Sequence, residues 1–476
     1  MMMKTKTPRI GLVGVMSTPF RGDKQRNYQQ HREAVEALSR AWDFEFHAVS
    51  DGIYNTAQAQ EAAQELKDWG ADFVLLQTSS FASGNFLYPL ADLDARLGLW
   101  AVPEGPPSEE GGLPLNSFTA ANMYNSILKQ YLTGYQKPVK WFFGNPGQRY
   151  FDDRLKLTVQ ALRVLINLPG TRIALIGGVA PSFDNVRVDE RILLEKLGVK
   201  ILHLELDDVL QKARSFSLQE IKGEMEAIQT TAASLDDRFQ PMLEKTARVS
   251  WALQEMASEF DFDATALSCW PKFQSDYQLA VCSVMGRLNS QGLIAACEGD
   301  IPSAVSMLTL HLMTGGDIVT LMDLVTIDPN DDSVLLWHCG PTPPALADEK
   351  GVTMEPLWLF DGEDGSQIGL HNDLVLKPGP ATILGFTPNF DRMLILEGQI
   401  DNQKPSYKGS RGWFRELHMH GNSLTAPELV QTLMRSGYQH HYPFSYGSLG
   451  RAAQEVCGWL GIAPIEIQTY TDYLVP

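Results

Sequence analysis

Three reactive side chains each follow an apolar run: LIAACEGD reaches Glu298, DIVTLMD reaches Asp323 and SVLLWHCG reaches His338. Two carboxylates and an imidazole suit a hard or borderline divalent cation such as manganese better than a metal that prefers thiolates. Taken singly, each has an ordinary structural explanation. Glu298 can open the helix that GDIPS begins, Asp323 can cap a turn, and His338 can be a satisfied buried histidine. Three of them at the ends of successive strands favour a shared site. A fourth ligand must come from elsewhere, and the C-terminal region offers His418 and His420 in RELHMHGN and the pair His440–His441 in GYQHHYPFSYG. Neighbouring residues on an extended segment point to opposite faces, so one histidine of a pair is expected to reach a given ion.

The elements that must hold these groups alternate. PRIGLVGVMS, FEFHAVS, ADFVLLQTSS and LGLWAVPEG read as strands separated by helical patterns, and a second series starts with TRIALIGGVAPSF and VKILHLEL. Strands alternating with helices at this spacing imply parallel sheets covered on both faces, with ligands met at the strands' carboxyl ends. After SVLLWHCG the texture changes to glycine, proline and short alternating runs such as PATILGFTPN. The expectation is therefore an α/β protein with two parallel-sheet domains, 1–165 and 166–345, and a β-rich domain at 346–476. The glycine turns GLVGVMS and LIGGVAPSF lack the G-x-G-x-x-G spacing that lets backbone approach a pyrophosphate, which argues against a nucleotide site.

A formal charge of −18 disfavours a nucleic-acid partner, because such a surface repels phosphate backbones. Five scattered cysteines without CxxC spacing argue against a disulfide framework and a zinc knuckle and fit a reducing cytoplasm. No apolar run approaches the roughly 20 residues that span a bilayer, so no membrane partner is expected.

The segments CEGD, the strand ending in Asp323, WHCG and the terminal HHxxFS (His440 to Ser445) resemble, in order and spacing, the ligand segments of the L-fucose and L-arabinose isomerase superfamily. That resemblance implies two flavodoxin-like (Rossmann-like) domains and a β-rich C-terminal domain. It implies a metal-dependent ketol sugar isomerase that interconverts aldose and ketose through a cis-enediol, with Mn2+ as the cofactor and Co2+ or Mg2+ as substitutes. The carried-over metal ligands are Glu298, Asp323 and His441, with His338 fourth as in the arabinose branch. Glu298 and Asp323 become the acid–base pair and His440 faces the sugar. Asp323 stands where the arabinose branch has Glu and the fucose branch has Asp, so neither branch's substrate carries over. The resemblance further implies a homo-oligomer, trimer or hexamer, in which first-domain loops cover a neighbour's site. The residues suited to that task are Arg21 and Arg26, which could hold an anionic group on the sugar, and Gln77, Ser80, Ser83 and Asn85. A sugar-binding protein without catalysis, and a sugar lyase or aldolase using a related enediolate, are the alternatives.

Overall fold

Runs of small and branched apolar residues become central strands here because both of their faces are covered. The computed structural model describes residues 5–107, 111–360 and 367–474. The chain divides into two compact units, one from Thr5 to Ile166 and the other from Asn167 onward.

In the first unit, β1 (Arg9–Val15), β2 (Glu45–Ala48), β3 (Phe73–Thr78), β4 (Arg96–Ala101) and β5 (Val139–Phe143) form one parallel sheet in the order β2-β1-β3-β4-β5. β3 is buried at every position, as a strand covered on both faces must be. Helices Lys24–Trp42 and Thr56–Trp69 make the first two crossovers. Strand order reverses between β1 and β3, so their carboxyl-end loops diverge and leave a crevice of the kind ligands use. Those loops carry Arg21 and Ser80 to Ser83, while Arg26 lies in the first turn of the helix Lys24–Trp42 and Asn85 in a short 3-10 turn.

The second unit begins with a smaller parallel sheet. Its strands are β6 (Arg172–Ile176), β7 (Lys200–Leu204), β9 (Ala264–Leu267) and β10 (Ile294–Ala296), in the order β10-β9-β6-β7. The short β8 (Ser234–Leu235) pairs instead with β13 (Thr353–Pro356). Next come β11 (Val319–Asp328), β12 (Ser333–His338), β14 (Leu370–Val375), β15 (Gly379–Phe386), β16 (Arg392–Asp401), β17 (Ser410–Met419), β18 (Asn422–Ser423), β19 (His441–Tyr446) and β20 (Ala463–Pro464). Six of these pair in a closed ring, β16-β15-β19-β11-β12-β17 and back to β16, with every pairing antiparallel. Closure removes the exposed strand edges that an open antiparallel sheet would leave.

The helix Ile301–Thr314 packs against β9 and β10 on one side and against β15 and β19 on the other. That double contact explains a sequence apolar all round, IPSAVSMLTLHLMT, which is buried at all but two positions.

Two expectations are corrected. β11 and β12 belong to the antiparallel ring, so the boundary at 345 falls between strands of one sheet, and the proposed second and third domains form one unit. Asp323 also does not end its strand, since β11 runs on to Asp328 and turns into β12. Four residues, Pro329 to Asp332, join the two. A parallel crossover needs a dozen or more residues, so a connection this short allows only a hairpin.

Candidate active site

Glu298 lies two residues beyond β10, in the left-handed region at φ 60°. That conformation costs a non-glycine residue roughly 1–2 kcal/mol. Neighbouring backbone holds it there. The Glu298 carbonyl accepts from the Ala180 amide at 2.9 Å, and the Gly299 amide donates to the Leu267 carbonyl at 3.1 Å. Gly299 is also left-handed, at φ 73°, and passes so close to Gly178 that a Cβ would clash with its carbonyl oxygen. Two successive left-handed residues turn the chain sharply out of the sheet. The next residue, Asp300, caps the helix Ile301–Thr314 by accepting from the Ser303 amide at 2.9 Å.

His441 opens β19 and is paired in register with Asp323 on β11, so the ladder itself fixes their separation. A bulge between Leu324 and Thr326 follows Asp323 directly. Bulges of this kind re-aim side chains beside sites. His338 ends β12, the next strand round the ring, and its imidazole stacks on that of His441 with centroids 5.7 Å apart.

Hydrogen bonds separate the roles of these rings. His441 Nδ1 lies 2.8 Å from Asp300 Oδ2, a fully buried carboxylate. Asp300 can only accept, so Nδ1 carries the proton and the Nε2 lone pair faces Glu298 Oε2 at 3.6 Å and Asp323 Oδ1 at 3.9 Å. His338 is arranged the other way. The Cys339 amide donates to its Nδ1 at 2.8 Å, which puts the proton of the neutral ring on Nε2. His338 Nε2 and Asp323 Oδ1 are both buried without a hydrogen-bond partner among the described residues. Buried polar atoms left so suit a bound water, ion or substrate group.

His440 also turns toward Glu298, with Nε2 3.0 Å from Oε2. The expectation that neighbouring histidines face opposite ways fails because His440 precedes β19 and is not part of its pleat. Its Nδ1 accepts from Asn185 Nδ2 at 3.0 Å, and Phe183 lies against its ring. Burial works against charging His441 and His440, but hydrogen bonds and charge from Asp300 and Glu298 respectively, with Asp323 adding to both, outweigh it and raise both above the ordinary histidine value. His338 is raised too, against its burial, by the adjacent Cys339 sulfur and the Asp323 carboxylate.

Ligand atoms of Glu298, His440 and His441 lie mutually within 4.8 Å, as do those of Asp323, His338 and His441, so each trio could hold an ion. His418 and His420 bond instead to Ser423 and to the Ile465 carbonyl, and neither is in these groups. Asp300, Asn185 and Phe183 were missed in the sequence. Only Asp300 had a signal there, as the cap residue of GDIPS, and nothing in that motif points to a histidine so far along the chain.

The first-unit residues lie as follows. Gln77 is fully buried and bonded to His31 and Ser79. Ser80, also fully buried, accepts from the Ser17 amide. Ser83 and Asn85 are exposed at the start of a short 3-10 turn, and Arg21 and Arg26 are exposed, with Arg26 4.0 Å from Asp23.

Half-buried carboxylates and buried imidazoles converging at the junction of a parallel sheet and a closed antiparallel ring form an acid–base centre that could hold a cation. No protein-family model matches the chain. It is similar to curated sulfoquinovose isomerases. The one from Priestia aryabhattai is 29% identical over 401 residues, covering 83% of this chain and 86% of the relative. That of Alkalicoccus urumqiensis is 25% identical over 403 residues, with the same coverage. That of Clostridium sp. strain MSTE9 is 25% identical over 369 residues, covering 74% and 76%. A solute-binding protein from Agrobacterium vitis, 15% identical across 65% of this chain and 90% of its own, overlays with a TM-score of 0.18, which is no likeness of fold. The chain is an enzyme, a sugar isomerase of the class that interconverts aldoses and ketoses.

Proposed function

We propose that the protein is a metal-dependent aldose–ketose isomerase acting on an acidic sugar derivative, with sulfoquinovose, the sugar its relatives are named for, as the first candidate. The observation that carries the metal is that the inward-turned Nε2 lone pair of His441 faces Glu298 Oε2 at 3.6 Å and the orphaned Asp323 Oδ1 at 3.9 Å. Those three residues would hold the ion, and Mn2+ suits their oxygen and nitrogen donors, with Co2+ or Mg2+ as substitutes. A divalent ion held there would supply positive charge to stabilise the negative charge that develops on the sugar's oxygens.

The rest is the work of the side chains. Isomerisation needs a base to take a proton from one carbon and return it to the next, and groups to move a proton between the two oxygens. Glu298 and Asp323 are the carboxylates at hand. His440, hydrogen-bonded to Glu298 and partly exposed, is placed to face the sugar and exchange the oxygen-bound proton. His338 serves better as a hydrogen-bond donor through Nε2–H than as the fourth ligand, because its Nδ1 is already an acceptor.

The ligand segments also support membership of the L-fucose and L-arabinose isomerase superfamily. By that reading the protein is a homo-oligomer in which the exposed Arg21 and Arg26 of one chain bind the anionic end of the sugar in a neighbour's site.

NMR product analysis after incubation with Mn2+ and a panel of aldoses including sulfoquinovose tests the reading. The expected result is ketose formation from the acidic sugar, lost on chelation and restored by added Mn2+. Glu298→Gln should keep the fold and lower turnover about 10²–10⁴-fold, the span of a single acid–base group. Full turnover in chelator, or in that variant, would overturn it.

A further inference from the structure

Two pairs of sulfurs flank the site. Cys282 Sγ lies 3.2 Å from Cys339 Sγ, and Cys297 Sγ lies 3.1 Å from Cys269 Sγ. All four thiols are free. Each pair combines a buried cysteine, Cys282 or Cys297, with a partly buried one, Cys339 or Cys269.

Their placement ties them to the chemistry. Cys297 directly precedes Glu298, and its carbonyl accepts from the Asp300 amide at 3.0 Å. Cys339 directly follows His338; its amide fixes the His338 tautomer, and its sulfur lies 3.1 Å from His338 Nδ1. The two remote partners sit on other elements. Cys269 lies just past β9, the neighbour of β10, and Cys282 opens the helix Cys282–Ser290. A bond within either pair would therefore pull a site residue toward a second element.

We propose that both pairs are oxidation sites, each closing to a disulfide under hydrogen peroxide and thereby disabling the isomerase until a thiol reductant reopens it. Sulfur of the partly buried cysteine attacks one peroxide oxygen. The O–O bond breaks and leaves a sulfenic acid and water. The buried partner's sulfur then attacks the oxidised sulfur and expels a second water. Two thiols and one peroxide thus give one disulfide and two waters, with two electrons passing from sulfur to oxygen. Hydrogen bonding with the partner sulfur and burial raise the Cys297 and Cys339 thiols, so each pair closes slowly.

The effect on turnover rests on the active-site reading above, but the thiol chemistry does not. Hydrogen peroxide treatment of the purified protein, followed by peptide mapping without reductant, reads the chemistry. Links Cys269–Cys297 and Cys282–Cys339 are expected, with Cys457, buried beside Met393, left free. Turnover should fall about a hundredfold, the effect of a misplacement of about 1 Å, and return with dithiothreitol. Cys269→Ala and Cys282→Ala should keep full turnover when reduced and lose one link each, and the double variant should resist peroxide. Absence of both linked peptides, links to Cys457, or linked peptides with undiminished turnover would each overturn the proposal. An error in the active-site reading would show separately, as turnover surviving in Glu298→Gln.

Discussion

His441 hydrogen-bonds through Nδ1 to Asp300 Oδ2 at 2.8 Å, and both side chains are sealed from solvent. Asp300 therefore does two jobs, capping the helix Ile301–Thr314 and setting which nitrogen of His441 is free. Asp300→Asn keeps the cap, since asparagine serves as well at that position. Its amide, however, can donate to Nδ1 and reverse the tautomer. The variant should still fold yet bind Mn2+ about 10–100-fold more weakly in a calorimetric titration, as partners that orient a metal-bound histidine do when changed.

The opposite tautomers of His338 and His441 give a paired test. His441→Gln should abolish Mn2+ binding, measured by the loss of free-ion signal in electron paramagnetic resonance. His338→Gln retains an N–H donor and should bind the ion nearly as well as the parent, with its loss confined to turnover. Equal loss of metal in both variants would make His338 a ligand after all.

The raised histidines predict how the metal-free protein responds to pH. A histidine whose pKa is raised by folding stabilises the fold fully below its unfolded value of about 6.5 and loses that contribution as pH climbs through the folded value. His440 and His441 both act in this sense, so with chelator present the melting temperature should decline as pH rises from 6 toward 8. A cation must displace the proton from His441, so its affinity should rise across the same interval. Melting curves with and without Mn2+ should diverge as pH increases, and parallel curves would contradict the assignment.

If the first unit's loops complete a neighbour's site, complementation follows. A Glu298→Gln chain mixed with an Arg21→Ala/Arg26→Ala chain should regain part of the turnover that each lacks alone. Confirmed subunit exchange with no recovery would count against an action in trans.

The alternation of strands and helices was readable because apolar runs punctuated by helical periodicity leave few other folds open. Glu298, Asp323 and His338 could be picked out as candidates because a reactive side chain at the end of an apolar run is conspicuous, whereas His441 came from the histidine pair and the resemblance of HHxxFS. The ring was not readable. β11 and β12 look as apolar as the parallel strands before them, and only the brevity of the turn at Pro329 to Asp332 betrays the hairpin. Asp300 was hidden for a different reason. A helix cap is satisfied locally in sequence, and its second partner, His441, comes from a strand whose position depends on the finished ring.

That dependence has a consequence for how the enzyme comes into being. β19 is inserted between β15 and β11, and it is the last of the six ring strands to be synthesised. Until it docks, Glu298, Asp300, Asp323 and His338 are present on the chain, but the imidazole that joins them is not in place. A nascent or partly folded chain is therefore chemically silent, and the first appearance of activity during refolding would time the closing of the barrel.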